Sequence, residues 1–163
     1  MAHHKLLLND DLKEDFSLVA IHCSEEAYKM AFTLNQHLNL RLKRKRADLD
    51  YSNEGLQVTF PIFKFEDQFR YTTYYLVSNK CKSNVANITS SEGLFGDDES
   101  ESTVLTLLLP EFKEADFFLK IESDYETIPL RKNISLINEI NQVISAYKIE
   151  EHQIKSNHKL IFN

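Results

Sequence analysis

The sequence predicts an α+β domain in which an antiparallel β-sheet of about five to six strands packs against two amphipathic helices. Residues 104–121, VLTLLLPEFKEADFFLKI, form the most apolar stretch and alternate with a period of two on both sides of a proline. Two other segments, one after Cys23 and one after Pro129, place apolar residues at helical spacing instead. The resulting order β-α-βββ-ββ-α is typical of an antiparallel sheet covered on one side by helices.

The first element is Phe16–Cys23 (FSLVAIHC), a short apolar run that predicts a buried strand. Ser24 then offers an N-cap oxygen, and Glu25 and Glu26 complement the positive end of a helix dipole. Apolar residues follow at helical spacing: Ala27, Met30, Ala31, Leu34 and Leu38. The pattern predicts a strand followed by an amphipathic helix that ends near Asn39.

The middle of the chain predicts further strands. Residues 40–51 alternate leucine with basic residues and indicate a strand with a solvated basic face. Residues 56–65 and 69–77 indicate a hairpin with a tight turn at Glu66 and Asp67, and Pro61 indicates an edge position or a bulge. Residues 82–102 are rich in asparagine, serine and acids, which predicts a flexible acidic loop within a single domain of residues 1–163.

The apolar centre of the chain favours two strands joined at Pro110, which lacks a backbone donor and suits a turn. We expect a central hairpin with Phe117 on its inner face and with Phe118 and Lys120 on its outer face. A helix starting at Pro110, with Phe112 on its buried side, is the alternative, but the aromatic and β-branched content favours strands. The inner faces would carry Leu105, Leu107 and Leu109 in the first strand and Ala115, Phe117, Leu119 and Ile121 in the second.

The C-terminal part predicts a second helix that begins after Pro129, followed by polar residues and a last edge strand. The helix would carry one apolar stripe, formed by Ile134, Ile137, Ile140, Ile144 and Tyr147. The edge strand would consist of Leu160, Ile161 and Phe162.

Composition limits the classes of function. With 42% hydrophobic and 27% charged residues, the chain of 163 residues is an ordinary globular protein, and its net charge of -6 disfavours broad binding to nucleic acid. Cys23 and Cys81 provide neither a disulfide framework nor metal-ligand spacing, so we expect no metal and no cofactor. The apolar residues 6–8 are too short to cross a membrane, and no signal pattern precedes them. We therefore expect a cytoplasmic protein without membrane contact.

The central stretch also carries a motif, Leu109-Pro110-Glu111, three residues, then Ala115-Asp116-Phe117. It resembles the signature of the IPExxxVDY (or IPExxxVDF) family of uncharacterised bacterial proteins, with Leu109 in place of isoleucine and Ala115 in place of valine. The resemblance implies a bacterial origin but no catalytic residues, because no activity defines the family. It extends to Asp15-Phe16-Ser17-Leu18, Leu38-Asn39-Leu40, Asp48-Leu49-Asp50-Tyr51 and Leu76-Val77-Ser78-Asn79-Lys80.

Three groups of polar residues are candidates for a site. His22 lies at the end of an apolar run, where a hydrogen-bonded histidine is more common than a catalytic one. Glu111 and Asp116 are the motif carboxylates; we expect Glu111 to cap turn amides and Asp116 to pair with a cation on the outer sheet face. The third group is the basic run Arg41, Lys43, Arg44, Lys45 and Arg46, which could contact phosphate with Tyr71, Tyr74 and Tyr75 stacking on bases.

Three functions are compatible with these residues. The first hypothesis is a non-catalytic adaptor that binds another protein through an exposed sheet face or edge, because the phosphate-loop, nucleophile-elbow and zinc-protease motifs are all missing. The second is an RNA- or phosphate-binding protein that uses residues 41–46. The third is an enzyme with His22, Glu111 or Asp116 in its site, which would require these side chains to converge in a pocket.

Overall fold

The computed structural model describes residues 16–85, 102–124 and 127–162. Within these residues there are ten strands and two α-helices. The strands are β1 Phe16–Cys23, β2 Lys43–Arg44, β3 Leu49–Asp50, β4 Thr59–Phe60, β5 Ile62–Asp67, β6 Thr72–Ser78, β7 Lys80–Val85, β8 Ser102–Leu107, β9 Phe117–Ser123 and β10 Val143–Ile149. The helices are α1 Ala27–Leu38 and α2 Leu130–Asn138, and the 3-10 helices Glu151–Gln153 and Asn157–Leu160 follow β10.

Six of these strands form one antiparallel sheet in the order β10-β1-β9-β6-β5-β2. Strand β9 lies at its centre and pairs with β1 on one side and β6 on the other. Two further ribbons, β3 with β4 and β7 with β8, lie outside this sheet. The α+β class, the six strands and the two packed helices are as the sequence predicts.

The N-terminal elements follow the prediction closely, because their apolar spacing is local. Strand β1 has the predicted bounds and helix α1 ends where predicted, with Asn39 in the left-handed conformation at φ of 53°. The predicted cap is wrong: the helix starts after Glu26, whose carbonyl accepts the first helical bond from Met30, and no side chain caps it. Ser24 lies two residues too early to reach the first-turn amides.

The prediction of a central hairpin at Pro110 is wrong. Strand β8 pairs with β7, and β9 pairs with β1 and β6, so the two strands flanking Pro110 do not pair with each other. Pro110 does lie in the turn region between them, but its neighbours Leu108, Leu109 and Ala115 pack into the core. A connection that is itself packed against the sheet carries the chain from one sheet to the other.

Both faces of the six-stranded sheet are buried. On one face α1 and α2 cover a core that contains Val19, Leu76 and Leu119. On the other face residues around β4, the turn after β8 and the C-terminal segment cover a second core. The predicted solvent exposure of Phe118 and Lys120 is therefore wrong, since they are 0% and 1% exposed.

Lys120 is buried because its ammonium group has several partners. It donates a hydrogen bond of 2.9 Å to the carbonyl of Leu160 and forms an ion pair with Glu122. The rings of Phe16 and Phe162 lie 4.8 and 5.4 Å from Nζ, at cation–π distance. These contacts offset the cost of removing the charge from water, and they hold the C-terminal segment against the sheet.

Other predictions are confirmed in part. Strands β5 and β6 form the predicted hairpin, but its turn occupies residues 68–71 rather than Glu66 and Asp67. Only Lys43–Arg44 and Leu49–Asp50 are strands within residues 40–51. The predicted acidic loop is wrong at its ends, since residues 82–85 belong to β7 and Ser102 begins β8. Residues 86–101 lie outside the described residues.

The second helix is shorter than predicted. It ends at Asn138, and the stretch with Ile144 and Tyr147 is strand β10, in which both side chains are largely exposed. The β-branched and aromatic residues of VISAYKI favour a strand over the continued helical stripe. The last predicted strand is also wrong: Leu160 ends a 3-10 helix, and with Phe162 it packs into the second core.

Each helix carries an asparagine that bonds to the chain a few residues later. Asn35 of α1 accepts from the amide of Leu42 (2.8 Å) and donates to its carbonyl (3.2 Å), directly before β2. Asn138 of α2 accepts from the amide of Ala146 (2.9 Å) and donates to its carbonyl (3.0 Å), within β10. Strands β2 and β10 are the two edge strands of the sheet. At each edge, therefore, a side-chain amide bonds to backbone N–H and C=O groups that would otherwise be open to a further strand.

Candidate functional site

The motif residues are organised around Asn79, which lies between β6 and β7 and is 0% exposed. Its side-chain nitrogen donates to the carbonyls of Phe112 (2.9 Å) and Ala115 (2.8 Å). Its side-chain oxygen accepts from the amide of Leu109 (2.8 Å), and its carbonyl accepts from the amide of Leu108. A single buried side chain therefore shapes the turn that carries the motif.

Asp116 connects the ends of three strands. One carboxylate oxygen accepts from Lys80 Nζ at 2.7 Å, and the other accepts from the amide of Cys23 at 2.9 Å. The backbone of Asp116 also bonds to Ile21 and Asn79. The sequence correctly predicts that this carboxylate pairs with a cation. Together, the side-chain and backbone bonds of Asp116 hold the ends of β1, β7 and β9 close to one another.

Glu111 reaches the C-terminal segment. Its Oε1 accepts from the amides of Lys155 (2.8 Å) and Ser156 (3.0 Å), so it caps backbone amides, although not those of its own turn alone. Burial alone would raise the pKa of Glu111, but hydrogen bonds from its own amide and from those of Ser156 and Lys155 outweigh it and lower the pKa. Glu111 and Asp116 thus have separate partners.

His22 comes close to Asp116, with 3.7 Å between Nε2 and Oδ2. This is longer than a hydrogen bond, and the same oxygen already accepts from the amide of Cys23. The neighbouring Cys23 thiol is buried, and burial raises its pKa, which disfavours the nucleophilic thiolate. No group of three His, Cys, Asp or Glu side chains in the described ranges is arranged to hold a metal ion.

The basic run does not form one continuous face. Lys43 lies opposite Lys64 on β5, whereas Arg44 lies opposite Phe63, so neighbouring residues of β2 point to opposite sides. Arg44 forms a bidentate ion pair with Asp48, at 2.9 and 3.0 Å. Two of the tyrosines predicted to stack on bases are buried, Tyr74 and Tyr75, while Tyr71 is exposed. Arg41 is separate from this arrangement and lines a cleft.

The cleft has a volume of about 660 Å³ and lies at one end of the helix-covered face. One wall consists of residues 37–41 at the end of α1. A second wall consists of residues 65–70 and Tyr74, at the turn between β5 and β6. The third wall is α2 and its N-cap, with Pro129, Lys132, Asn133 and Leu136. The volume is within the range of protein ligand sites.

Phe69 is the most unusual residue of the cleft because its side chain is 97% exposed. It lies in the β5–β6 turn, where Asp67 accepts from the amides of Phe69 (3.1 Å) and Arg70 (3.2 Å). Tyr71, with φ of 50°, completes this turn in the left-handed conformation. Behind the turn the rings of Phe65 and Tyr74 stack at 6.0 Å. The turn thus presents an aromatic ring to solvent beside an aromatic wall.

Three cations line the same cleft: Arg41, Arg70 and Lys132. Arg70 lies 4.0 Å from Asp67. Arg41 and Lys132 are exposed and have no acidic partner among the described residues. The other acid, Glu66, is bound by Lys64, whose hydrogen bond lowers the pKa of this carboxyl group. The cleft therefore combines an exposed ring with two cations that lack an acidic partner within the described ranges.

Comparison of the chain with protein-family models, with curated proteins and with solved structures finds no match. The motif resemblance therefore stays a prediction. No helix in the described ranges is long and apolar enough to cross a membrane.

The sequence analysis names two residues of the cleft as site candidates, Arg41 and Tyr74, and misses Phe69, Arg70 and Lys132. Phe69 belongs to residues 69–77, whose composition predicts a strand, and its ring is exposed because the turn between β5 and β6 includes it. Lys132 lies in a helix that approaches the β5–β6 turn only in the folded chain. Asn79 appears only within the resemblance, because an isolated asparagine has no periodic pattern that marks its burial.

Proposed function

We propose that the protein is a non-catalytic interaction module that binds another protein through the cleft between α1, the β5–β6 turn and α2. The observation that carries this proposal is Phe69, whose ring is 97% exposed at the cleft. Covering a phenylalanine ring stabilises a complex by about 1.5–3 kcal/mol. Aromatic residues are enriched among the side chains that carry most of the binding energy of protein interfaces.

The cleft is favoured over the sheet as the binding surface. Aromatic residues on the sheet, such as Phe118 and Tyr75, are buried in the second core and cannot reach a partner. The outward backbone groups of Leu42 and Ala146 at the two edges already bond to Asn35 and Asn138. A partner strand would have to displace these side chains, so an adaptor acting through a sheet edge is less favourable.

The test is affinity purification from native cells with wild-type protein, Phe69→Ala and a matched control, Tyr28→Ala. Tyr28 is an exposed aromatic residue on α1, 59% exposed, that does not line the cleft. Mass spectrometry should identify a protein that wild type and Tyr28→Ala retain and Phe69→Ala loses. The same set of proteins from all three baits would contradict the proposal. Nucleic acid in the eluates is measured in parallel.

The runner-up is an RNA- or phosphate-binding function. It is favoured by Arg41, Arg70 and Lys132, which line one cleft beside aromatic rings. The ion pair of Arg44 with Asp48 and the burial of Tyr75 argue against the version that uses residues 41–46 as a surface. Replacing Lys43 and Lys45 with alanine separates the two versions. Submicromolar RNA binding that is lost in this double variant would favour the surface of residues 41–46, whereas RNA binding that the double variant keeps and Lys132→Glu loses would favour the cleft.

An enzyme is the third function. Its support among the described residues is the 3.7 Å approach of His22 to Asp116, and this carboxylate is already engaged by Lys80. We propose that these residues are structural. Asp116→Asn should then reduce the free energy of unfolding; an Asp116→Asn variant with unchanged stability would return this pair to consideration as a catalytic one.

We also propose membership in the IPExxxVDY family and a cytoplasmic location. The support for the family is that Asn79, Lys80 and Asp116, all within segments that carry the resemblance, form one connected set of hydrogen bonds. The support for the location is that Cys23 and Cys81 are both free thiols. Localisation of a tagged chain by fractionation tests the second statement.

A further inference from the structure

We infer that the segment that occupies the cleft is a short acidic peptide with an apolar side chain among its carboxylates. This inference rests on the proposed function and extends it by naming the chemistry of the partner. It follows from the charges, the exposed ring and the amide side chains of the cleft.

The charges available to a partner are positive, although the chain carries a net charge of -6. Arg41 on the α1 wall and Lys132 on the α2 wall are exposed and lack acidic partners among the described residues. The two acids of the cleft are already satisfied, Glu66 by Lys64 and Asp67 by the amides of residues 69 and 70. A partner that complements this surface carries carboxylates on two sides.

The beginning of α2 adds to this preference. Helix α2 has nine residues, and its N-cap Pro129 offers no side-chain hydrogen bond to the first-turn amides. Both Pro129 and Lys132, which lies in the first turn, line the cleft. The amides and the dipole at this end of the helix favour an anionic group next to the ammonium group of Lys132.

The apolar part of the partner follows from Phe69. Its ring is exposed at the cleft, so an aliphatic or aromatic side chain of a partner that packs against it would remove apolar surface from water. A purely ionic ligand such as inorganic phosphate would leave the ring in water. The surface therefore favours a partner that combines charge with an apolar anchor.

The same residues favour a peptide over a nucleic acid. Among the described residues that line the cleft, Phe69 is the one large exposed hydrophobic ring, whereas single-stranded nucleic acids bind by stacking successive bases on several aromatic side chains. Asn39, Gln68 and Asn133 also line it, and each side-chain amide offers one acceptor and two donor hydrogens, which match the carbonyl and amide of a peptide unit. Extended peptides bind through such backbone bonds together with pockets for individual side chains.

The experiment measures fluorescence anisotropy of a labelled peptide in which two glutamates stand on each side of one phenylalanine. Control probes replace the glutamates with lysine, replace the phenylalanine with alanine, or consist of oligouridylate RNA. The protein variants are Arg41→Glu, Lys132→Glu and Phe69→Ala. The matched control is Lys43→Glu, the same change of charge in an exposed residue that does not line the cleft. Thermal melting checks that every variant is folded.

We expect the acidic peptide to bind more tightly than the lysine and alanine versions. Arg41→Glu and Lys132→Glu should each raise Kd by about two- to thirtyfold, twice the ~0.2–1 kcal/mol of an exposed ion pair. Phe69→Ala should raise Kd about tenfold or more, whereas Lys43→Glu should leave it unchanged. Affinity should fall only modestly with salt, because few charges are neutralised.

Other outcomes overturn the inference and distinguish it from the proposed function. Equal binding of the lysine peptide would refute the acidic class while keeping the cleft as the binding surface. RNA binding that is tighter than peptide binding and is lost with Lys43→Glu would refute both. Failure of every peptide, with partner capture still dependent on Phe69, would refute the inference alone.

Discussion

Replacing Asn79 with alanine should strongly destabilise the protein, because this residue holds the motif turn through three side-chain hydrogen bonds of 2.8 to 2.9 Å. Each such bond contributes about 1 kcal/mol net, and each partner left buried and unpaired costs about 1–3 kcal/mol. We therefore expect Asn79→Ala to lose about 3–5 kcal/mol. For a domain of this size this corresponds to a decrease of about 6–20 °C in Tm.

The assay is urea unfolding followed by circular dichroism, with differential scanning calorimetry for Tm. Asn79→Asp is the sharper variant, because it keeps the shape and the oxygen that accepts from Leu109 but loses both donor hydrogens. Its second oxygen would face the carbonyls of Phe112 and Ala115, so at neutral pH it should lose at least as much stability as the alanine variant. Asn141→Ala, at an exposed turn residue, is the control and should stay within about 0.5 kcal/mol of wild type.

A loss of less than about 1 kcal/mol for Asn79→Ala would refute the reasoning, since even one unsatisfied buried group costs that much. Equal stability of the aspartate and wild-type proteins at neutral pH would refute it as well. Both results would mean that the motif turn is held by its packed side chains rather than by the amide of Asn79.

Three further predictions concern the same region. The folded pKa of Glu111 lies below its unfolded value. Its contribution to stability is therefore present above about pH 4.3, the ordinary pKa of a glutamate, and is lost as the pH falls through the folded pKa. Glu111→Gln should flatten this part of the stability profile measured by urea unfolding. Phe118→Ala should cost ~3–5 kcal/mol, as much as Phe117→Ala, because both rings are buried, and a cost below ~1 kcal/mol in denaturant unfolding would contradict the two-core packing. Lys120→Ala should cost ~3 kcal/mol, near the lower limit for removing one partner of a buried ion pair, because Glu122 retains solvent contact. The variant should also speed proteolysis of the C-terminal segment, which Lys120 holds through the carbonyl of Leu160; unchanged cleavage would contradict this anchoring role of Lys120.

Local patterns in the sequence predict the local structure of this protein well. Strand β1, helix α1 and the β5–β6 hairpin follow from spacing within short windows. Ile144 and Tyr147 show the limit, since their spacing after Ile140 fits a helical stripe while the chain there forms β10. A β-branched and aromatic segment can satisfy both periods, and the turn at residues 139–142 decides between them.

Long-range pairing could not be predicted in the same way. Alternation around Pro110 shows that strands flank it, but it does not show that β8 pairs with β7 and β9 with β1 and β6. The adjacent apolar residues Phe117 and Phe118 do indicate that β9 is buried on both faces, because a central strand covered on both sides does not alternate apolar with polar residues.

The candidate site was predictable only where a charge implies a partner. The pairing of Asp116 with a cation follows from the cost of an unpaired carboxylate near the core, but Lys80 as that cation depends on the fold. The exposed ring of Phe69 and the cations around it come from three separate parts of the chain, residues 37–41, 65–70 and the start of α2. Their proximity is a property of the tertiary structure alone.

The asparagines of the two helices bear on the order in which the chain folds. The bonds from Asn35 to Leu42 and from Asn138 to Ala146 span seven and eight residues, whereas the bond between Cys23 and Asp116 spans 93. Short loops close with little loss of entropy, so each helix and the edge segment after it forms a local unit early, and the slow event is the insertion of β9 between β1 and β6. Pulse-labelled amide exchange would detect this order as protection of Leu42 and Ala146 before Cys23. The parts of the sheet closed by short loops, which include the β5–β6 hairpin, are then ordered before the central strand β9 takes its place.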